Sequence, residues 1–412
     1  MIIALALIAA CTAATALCTA SVFRVTGARR RAATAARARA AGGPEEVPVP
    51  VSVLKPLCGA DDALEANLAT FFAQRYPVYE IVFGVEGEAD PAAAVVRRLR
   101  ARHPEVPCRL VVHDGRRGLN PKVSNLRAML GAVANDVVVV SDSNVAVSAD
   151  YLAHMVAELT APDARVGLVT NLVAGAGERT LGATLENLHL CGAIAGPVAA
   201  SQEVARRAVV VGKSMMFRRS VFERLGGLES VASLLAEDYV IGRMFQEAGF
   251  AVRVSGEVVR NVCASTSPVA FVRRQLRWSV LRSRLAPAAY ALEPLTSPAA
   301  VAIAALAALA AEQIAGRGAP GVAPLTAALV LAWGVGLTML RDGTQWWRLR
   351  GPRGLAAALA LGPLKDVALV AVWAAAPFVR HVSWRGARLR VAAGTRLYTA
   401  APVEAPCAPR VE

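Results

Sequence analysis

The uneven placement of charge along the chain limits its fold more than any other feature. Residues 2–23 carry no charged side chain, and at about 1.5 Å per residue they can cross a hydrocarbon core roughly 30 Å thick. Residues 297–379 are again strongly apolar, whereas residues 48–290 mix apolar and charged positions. Overall 55% of the residues are hydrophobic and 18% are charged, which is more apolar than an average soluble domain. The sequence therefore predicts a soluble middle region between membrane-seeking ends.

Basic residues predict the orientation of the first apolar segment. Arg24 follows the segment directly, and further arginines lie between residues 29 and 39. Positive charge concentrates on the cytoplasmic side of membrane helices, whereas a cleaved signal peptide carries its positive charge before the apolar stretch. We therefore predict a transmembrane anchor at residues 1–24, a basic linker at residues 25–47 and a cytoplasmic soluble domain. The protein is expected to be a multi-pass protein of a bacterial-type inner (cytoplasmic) membrane.

The C-terminal apolar region begins with two candidate membrane segments. The stretches 297–313 and 321–340 predict transmembrane helices within residues 296–341, although the first stretch is short for a crossing. Glycine and proline in the loop 316–321 predict a turn between them.

A third apolar stretch, residues 354–379, is harder to assign. A proline and two charged residues interrupt it at positions 363–366, and arginines flank it on both sides. A single full crossing would therefore contradict the charge rule. We expect residues 342–391 to form a basic loop and a re-entrant or interface-lying segment, with a third crossing as the alternative. Residues 392–412 are expected to form a tail.

Short apolar runs alternate with helical patterns through the soluble middle region. The β-branched runs predict strands, and the longer stretches between them have the apolar spacing of helices. This alternation is typical of a mostly parallel sheet covered by helices, in which ligands bind at the carboxyl ends of the strands. The predicted strands are 49–54, 79–85, 109–113, 136–141 and 166–172, and the predicted helices are 61–74, 91–103, 122–134 and 149–160.

Three aspartates stand where chemistry can occur. Asp142 ends a run of four valines and a serine, where a rigidly held carboxylate can bind a divalent cation together with a diphosphate; a turn residue is the alternative. Asp90 precedes Pro91, which is also the pattern of a helix N-cap. Glu237 and Asp238 begin a helical pattern, where acidic residues also suit the helix dipole.

Two basic motifs are candidates for binding phosphate. The glycine-bracketed loop Gly115–Lys122 enters a helix, so its backbone N–H groups and Lys122 can meet a phosphate; a solvated turn is the alternative. Arg274 and Arg277 share one face of a helical pattern that also carries Trp278. Arginine forks and an indole can hold a diphosphate or a sugar, but such a helix can also lie on an anionic bilayer surface.

The basic composition does not indicate a nucleic-acid partner. The formal net charge is +14, and many arginines lie next to apolar stretches, so membrane contact and an arginine-rich codon usage explain the charge more simply. The seven cysteines are scattered and form no CxxC pair, which predicts reduced thiols and excludes a disulfide framework or a zinc site. Only four of the 45 basic residues are lysines, namely Lys55, Lys122, Lys213 and Lys365.

The order of the motifs is more specific than any one of them. Five occur in sequence: Asp90-Pro91, Asn120-Pro121-Lys122, Asp142-Ser143, Glu237-Asp238-Tyr239 and Arg274-x-x-Arg277-Trp278. This order resembles the ceramide glucosyltransferase family, glycosyltransferase family 21, whose motif set is written D, D, D, (Q/R)xxRW. The similarity runs from about Val51 to Pro294. It implies a GT-A fold, a Rossmann-like α/β domain with a mostly parallel sheet, at residues 48–265. It also implies amphipathic interface helices at residues 266–295.

The resemblance implies a role for each matched residue. Asp90 would contact the nucleotide, Asp142 would hold a divalent cation (Mg²⁺ or Mn²⁺) and the diphosphate, and Asp238 would act as the general base. Lys122 would lie near the phosphates. The other matched residues would line the site: Asn120 and Glu237 beside the nucleotide-sugar, and Arg274, Arg277 and Trp278 beside the diphosphate and the acceptor.

The activity that the resemblance implies is inverting transfer of a sugar, most simply glucose from UDP-glucose, to the primary hydroxyl of a membrane lipid such as ceramide. The alternatives are hexose or N-acetylglucosamine transfer to a hopanoid-like lipid, processive polysaccharide synthesis, and a non-catalytic basic membrane protein. Two departures from the family pattern stand out. Ser143 and Asn144 replace an Asp-x-Asp motif, which leaves Asn144 as a neutral second metal ligand, and segment 186–208 differs from the eukaryotic enzymes where acceptor specificity is expected.

Overall fold

The structure is a computed structural model that describes residues 2–40, 47–114, 118–162, 165–204, 209–316, 322–384 and 387–399. Several parts of the sequence predictions lie outside these residues. They are residues 41–46 of the predicted linker, 115–117 of the glycine-bracketed loop, 205–208 of segment 186–208, 317–321 between the first two C-terminal apolar stretches, 385–386 of the predicted basic region and the tail from residue 400.

An eight-stranded mixed sheet forms the centre of the soluble region. Its spatial order is β3-β2-β1-β4-β7-β6-β8-β5. Strands β3, β2, β1 and β4 are mutually parallel, β7 is antiparallel to both β4 and β6, and β6 is parallel to β8. The strands are β1 (Val51–Pro56), β2 (Tyr79–Glu86), β3 (Cys108–His113), β4 (Val137–Ser141), β5 (Val145–Ala146), β6 (Val166–Ala176), β7 (Ser214–Arg218) and β8 (Ala251–Val262).

The predicted α/β class with a mostly parallel sheet is confirmed, and all five predicted strands occur within four residues of their predicted ends. The sequence does not predict the other three strands of this sheet, β5, β7 and β8, and β5 is only two residues long. The sequence of β7 is short and does not alternate, and β8 is interrupted in its middle by Ser255, Gly256 and Glu257, which are poor strand residues.

Helices cover both faces of the sheet. Successive valines of β4 point to opposite faces: Val139 packs in an apolar cluster with α2, α3 and α5, whereas Val138 and Val140 pack in a second cluster with α1, α4, α7, α8 and α9. The helices are α1 (Ile2–Ala40), α2 (Leu64–Phe72), α3 (Pro91–Arg102), α4 (Pro121–Leu130), α5 (Tyr151–Leu159), α6 (Leu181–His189), α7 (Ala195–Glu203), α8 (Arg219–Arg224) and α9 (Glu237–Glu247). A π-helical turn, Leu190–Ile194, joins α6 to α7.

Helix α1 is continuous from the apolar anchor into the segment predicted to be a linker. Its apolar part, Ile3–Ala28, is long and apolar enough to cross a membrane. Val22 and Val25 are already buried against the sheet domain, so the helix passes directly from one environment into the other. The helix continues to Ala40 because the basic stretch consists mostly of alanine and arginine, which both have high helix propensity.

Five more helices and a small sheet follow the main sheet. Helices α11 and α12, with the turn between them, form a pair bent by 78°, and α13 and α14 are each long and apolar enough to cross a membrane. The elements are α10 (Pro268–Leu285), α11 (Pro287–Leu292), α12 (Pro298–Ile314), α13 (Val322–Arg350), α14 (Leu355–Ala375), β9 (His381–Trp384), β10 (Ala387–Val391) and β11 (Leu397–Thr399), the last three forming an antiparallel sheet.

The end of α13 and the end of α14 contact other parts of the protein. Arg350 is the last residue of α13, and its guanidinium is 2.8 Å from a carboxylate oxygen of Glu178, which follows β6. Near the end of α14, the Tyr290 hydroxyl donates to the carbonyl of Trp373 at 2.7 Å, and Arg284 of α10 donates to the carbonyl of Pro377 at 3.0 Å. The length and composition of α14 suit a crossing, and the expected re-entrant or interface-lying segment stays a prediction.

The charges that interrupt the third apolar stretch are neutralised by α13. Lys365 lies 3.0 Å from both Asp342 and Asp366, and Arg341 lies 2.7 Å from Asp342 and 2.9 Å from Asp366. All four side chains are buried. Two positive and two negative charges therefore compensate one another, and α14 runs through Pro363 without a break.

We expect Lys365→Met to destabilise the fold. The substitution leaves two buried carboxylates facing one guanidinium, and breaking a buried ion pair typically costs about 3–5 kcal/mol. Chemical unfolding of the detergent-solubilised protein measures the loss. Leu364→Met, at the exposed neighbouring position, is the matched control and should change stability by less than about 1.5 kcal/mol. Equal stability of the two variants would contradict a stabilising role for the cluster.

Candidate functional site

The carboxyl end of β4 is where the predicted residues meet. Strand β7 is antiparallel to β4 and pairs Ser214 with Ser141, so the start of β7 lies beside the end of β4. Lys213, just before β7, consequently stands next to Asp142, just after β4, and the Asp142 N–H donates to the Lys213 carbonyl at 3.2 Å. The antiparallel strand thus brings a cation to this edge of the sheet.

The Asp142 carboxylate binds two lysine ammonium groups, one on each oxygen. Lys122 Nζ lies 3.0 Å from Oδ1, and Lys213 Nζ lies 3.0 Å from Oδ2. Burial opposes ionisation of Asp142, but the two ammonium groups outweigh it and hold the pKa of its carboxyl well below the usual range. Asp142 is therefore a fixed negative charge between two positive ones.

Lys122 is positioned by the start of α4. Asn120 is the N-cap: its Oδ1 accepts hydrogen bonds from the backbone N–H groups of Lys122 and Val123, and Pro121 occupies the first helical position. The Asn-Pro-Lys motif therefore fixes the backbone position from which the Lys122 side chain extends. The ammonium group of Lys122 also donates to the Gly212 carbonyl at 3.0 Å and lies 3.3 Å from Glu237.

Asp238 and Glu237 approach the same point from α9. One Asp238 oxygen accepts from the Gly212 N–H at 2.5 Å and the other from its neighbour's N–H at 2.8 Å. Burial and the charge of Asp142 raise the pKa of Asp238 despite Lys122. Burial likewise raises the pKa of Glu237 to about 7, and Asn120 donates to its carboxylate at 3.0 Å. Asp142 and Asp238 are thus joined through Lys122 and Gly212.

Lys55 adds a third lysine beneath Asp142. It is fully buried on β1, its ammonium donates to the Asp142 carbonyl at 2.5 Å, and it lies 3.9 Å from the centre of the Phe71 ring. Burial lowers the pKa of Lys55 to about 7. Three of the four lysines of the chain therefore surround one aspartate. The sequence motifs indicate no role for Lys55 or Lys213, although lysine is rare among the 45 basic residues and its rarity is a signal that could have found them.

Asp90 lies at the same edge but makes structural contacts. It caps α3 by accepting from the Ala92 N–H at 2.8 Å, and it accepts from the Gly59 N–H at 3.0 Å. The N-cap interpretation is therefore confirmed. Strand β1 separates β2 from β4, so Asp90 and Asp142 follow strands about 10 Å apart. Its contact with a nucleotide stays a prediction.

The Arg-x-x-Arg-Trp motif lies on α10, and this helix packs against the loop that precedes Glu237. Arg274 faces α6, where its guanidinium is 3.3 Å from Glu186. Arg277 and Trp278 are half-buried on the same helix. Leu276 and Val280 of this helix share an apolar cluster with Leu235. The roles of Arg274, Arg277 and Trp278 beside a diphosphate or an acceptor stay predictions.

The residues expected to hold a divalent cation do not offer a suitable donor set. Both Asp142 oxygens contact lysines, and the Asn144 Oδ1 also accepts from Lys213 at 3.2 Å. Across the described ranges, no group of three or more His, Cys, Asp or Glu side chains converges as a metal site would require. A divalent ion about 4 Å from one ammonium group would be repelled by about 8 kcal/mol at an effective dielectric constant of about 20. The expected metal site at Asp142 and Asn144 therefore does not fit this arrangement.

Comparison with known proteins identifies the family of this chain. The sequence profile of glycosyl transferase family 21 matches residues 2–397. The chain belongs to this family.

Two curated relatives and one solved structure illustrate the similarity. Ceramide glucosyltransferase 1 of Caenorhabditis elegans is 29% identical over 254 residues, which cover 60% of this chain and 52% of the relative. Ceramide glucosyltransferase of Komagataella phaffii is 28% identical over 309 residues and is covered to 61%. This chain thus spans about half the length of the nematode relative. The mannosyltransferase PcManGT of Pyrobaculum calidifontis, solved with GDP-Man and Mn²⁺, is 21% identical with a TM-score of 0.50, covering 89% of this chain and 99% of its own. This likeness supports the GT-A-like fold.

A C-terminal segment that was predicted to be a tail holds the loop before Glu237. The Thr395 carbonyl accepts from the Leu235 N–H at 3.0 Å, and its hydroxyl accepts from the Ala236 N–H at 3.4 Å. On the opposite side of the loop, the Asn120 amide donates to the Leu234 carbonyl at 2.7 Å. The loop is therefore held between the start of α4 and residues that follow the last long helix.

We expect a chain that ends at Ala392 to expose this loop. Without Thr395, the amides of Leu235 and Ala236 lose their acceptors, and hydrogen exchange there should accelerate about fivefold or more, because one such bond contributes about 1 kcal/mol. A chain that ends at Thr399 keeps both acceptors and serves as the control. Equal exchange rates in the two truncated chains would contradict the positioning role of this segment.

Proposed function

We propose that this protein transfers a sugar, most simply glucose from UDP-glucose, to the primary hydroxyl of a membrane lipid such as ceramide, with inversion at the anomeric carbon. The observation that carries the proposal is the meeting of Asp238 and Asp142 around Lys122 at the carboxyl edge of the sheet. Membership of glycosyl transferase family 21 and the similarity to named ceramide glucosyltransferases support the same reaction.

Asp238 acts as the general base in this proposal. Burial makes its carboxylate a stronger base than an exposed aspartate, and two backbone N–H groups fix its orientation. It removes the proton of the acceptor hydroxyl while that oxygen attacks the anomeric carbon, a contribution of typically about 10²–10⁴-fold in rate. One displacement converts an α-linked donor into a β-glycoside.

The leaving nucleoside diphosphate gains negative charge during the same step. Lys122 stands between the base and Asp142, so the positive charge of its fixed ammonium group can compensate that negative charge electrostatically. Asp90 supports the nucleotide end of the donor. Asn120 positions two neighbours by donating to the Glu237 carboxylate and accepting from the Lys122 backbone N–H. Arg274, Arg277 and Trp278 extend the site toward the acceptor.

The location of the base suits an acceptor that stays in a bilayer. One apolar cluster runs from Leu235, beside the base, through Val280 of α10 to Trp373 of α14. Removing a lipid chain from the bilayer costs about 0.8 kcal/mol per CH₂ group, so the reaction has to occur at the surface. We infer that α1 and the C-terminal helices hold the site at the cytoplasmic face of an inner membrane, in contact with anionic lipid.

Asp238→Asn is expected to lower kcat by about 10²–10⁴-fold, because an amide cannot accept the hydroxyl proton. Single-turnover transfer to ceramide measures the loss, and calorimetric titration with UDP should show affinity within a few-fold of wild type. Asp150→Asn, at a surface aspartate paired with Arg75, is the control. Unchanged kcat would remove Asp238 from the role, and an α-glycoside product by NMR would rule out inversion.

Gly212→Ala should damage catalysis by displacing the base. A Cβ atom at Gly212 would lie 2.4 Å from the Asp238 Oδ2, which forces one of the two groups to move. Small misplacement of a reacting group can cost about 10²-fold in kcat. Gly131→Ala is the matched control, since its Cβ would have its nearest neighbour at 3.8 Å. If kcat of the two variants agrees, the position of Asp238 is not critical.

A panel of UDP-sugars and lipid acceptors distinguishes the related activities. Transfer of glucose to ceramide supports the proposed substrates, whereas transfer of N-acetylglucosamine to a hopanoid identifies the nearest alternative. Products of increasing length would indicate a processive polysaccharide synthase. Absence of transfer and of UDP binding throughout the panel would leave only a non-catalytic membrane protein.

A further inference from the structure

The lysines around Asp142 occupy the place where a divalent cation would bind. The chain has 45 basic residues, of which 41 are arginines and four are lysines. Three of the four lysines surround the Asp142 residue. Lysine carries a compact charge at the end of a flexible stem, whereas arginine carries a wide, rigid fork. Their concentration at one point of an arginine-rich chain indicates a need for small ammonium groups there.

The two outer lysines, Lys122 and Lys213, differ in how their donors are used. Lys122 Nζ contacts Asp142, Glu237 and the Gly212 carbonyl, which occupy its three N–H donors. Lys213 Nζ contacts Asp142 and Asn144. One N–H donor of Lys213 is thus left without a partner among the described residues. The Lys213 side chain is 22% exposed and Asp142 is 23% exposed, so a ligand at the sheet edge can reach this donor.

We propose that Lys122 and Lys213, held by the Asp142 carboxylate, replace the divalent cation and neutralise the diphosphate of the donor. This inference rests on the proposed function, because it assumes a nucleoside-diphosphate sugar. Two ammonium groups supply the two positive charges that one divalent ion would supply, and lysine is a common phosphate ligand. Lys55 fixes the Asp142 main chain from below and does not reach the ligand.

The arrangement follows from the sheet topology. Lys122 comes from the helix that begins beyond β3, and Lys213 comes from the residue before the antiparallel strand β7. Asp142 at the end of β4 lies between them and holds both at 3.0 Å. Asn144, where an Asp-x-Asp motif would have its second carboxylate, accepts from Lys213. A neutral amide suits a lysine partner that already shares the charge of Asp142.

The test is calorimetric titration of the full-length protein in detergent with UDP, in EDTA and in Mn²⁺. Wild-type affinity in EDTA is expected to lie within about threefold of the affinity in Mn²⁺. Lys213→Met should weaken UDP binding in EDTA by at least about tenfold, since a charged hydrogen bond is lost. Arg218→Met, at the other end of β7, removes a cation without these contacts and should behave as wild type.

The outcomes separate this inference from the proposed function. Wild-type UDP binding that disappears in EDTA and returns with Mn²⁺ would overturn the lysine assignment and leave the transferase intact. UDP binding in neither condition, together with no sugar transfer, would overturn both. If Lys213→Met does not fold, the comparison of wild-type UDP affinity in EDTA and in Mn²⁺ decides the inference alone. A second variant, Lys213→Arg, keeps the charge and should retain at least part of the metal-independent affinity.

Discussion

The position of one ammonium group, that of Lys122, determines the geometry of the candidate site. It contacts Asp142 after β4, Glu237 at the start of α9 and the Gly212 carbonyl before β7, so three separate elements are held by one cation. Removing that charge would leave buried carboxylates facing one another, which is costly in a low-dielectric environment. The Asn-Pro-Lys sequence meets this requirement locally, because cap, first-turn proline and lysine fix where the side chain begins.

The parallel half of the domain could be predicted from sequence because each element carries its own signal. The valine run of β4 alternates between two apolar clusters, and Asp90 and Asn120 are capping residues next to prolines. Convergence of Asp142, Lys122 and Asp238 could also be predicted, but only through the order of the family motifs. No local sequence pattern predicts that residues so far apart in the chain lie close together.

Other features depend on partners that the sequence does not place side by side. Lys213 comes next to Asp142 only because β7 runs antiparallel to β4, and β7 itself has no alternating pattern. The charges of α14 read as an interruption of an apolar stretch, yet Arg341 and Asp342 of α13 neutralise them. The donor set around Asp142 likewise depends on this pairing, which is why a metal site was expected where lysines stand.

The contact of Thr395 with the loop before Glu237 limits how the chain can be threaded through a bilayer. The chain leaves the soluble domain after α11, passes through three apolar helices, and then supplies Thr395 to the same loop. Both partners must lie on one face of any membrane that the chain crosses, so the number of crossings between them is even, either zero or two. A single pass, or three passes, by α12, α13 and α14 is incompatible with this contact.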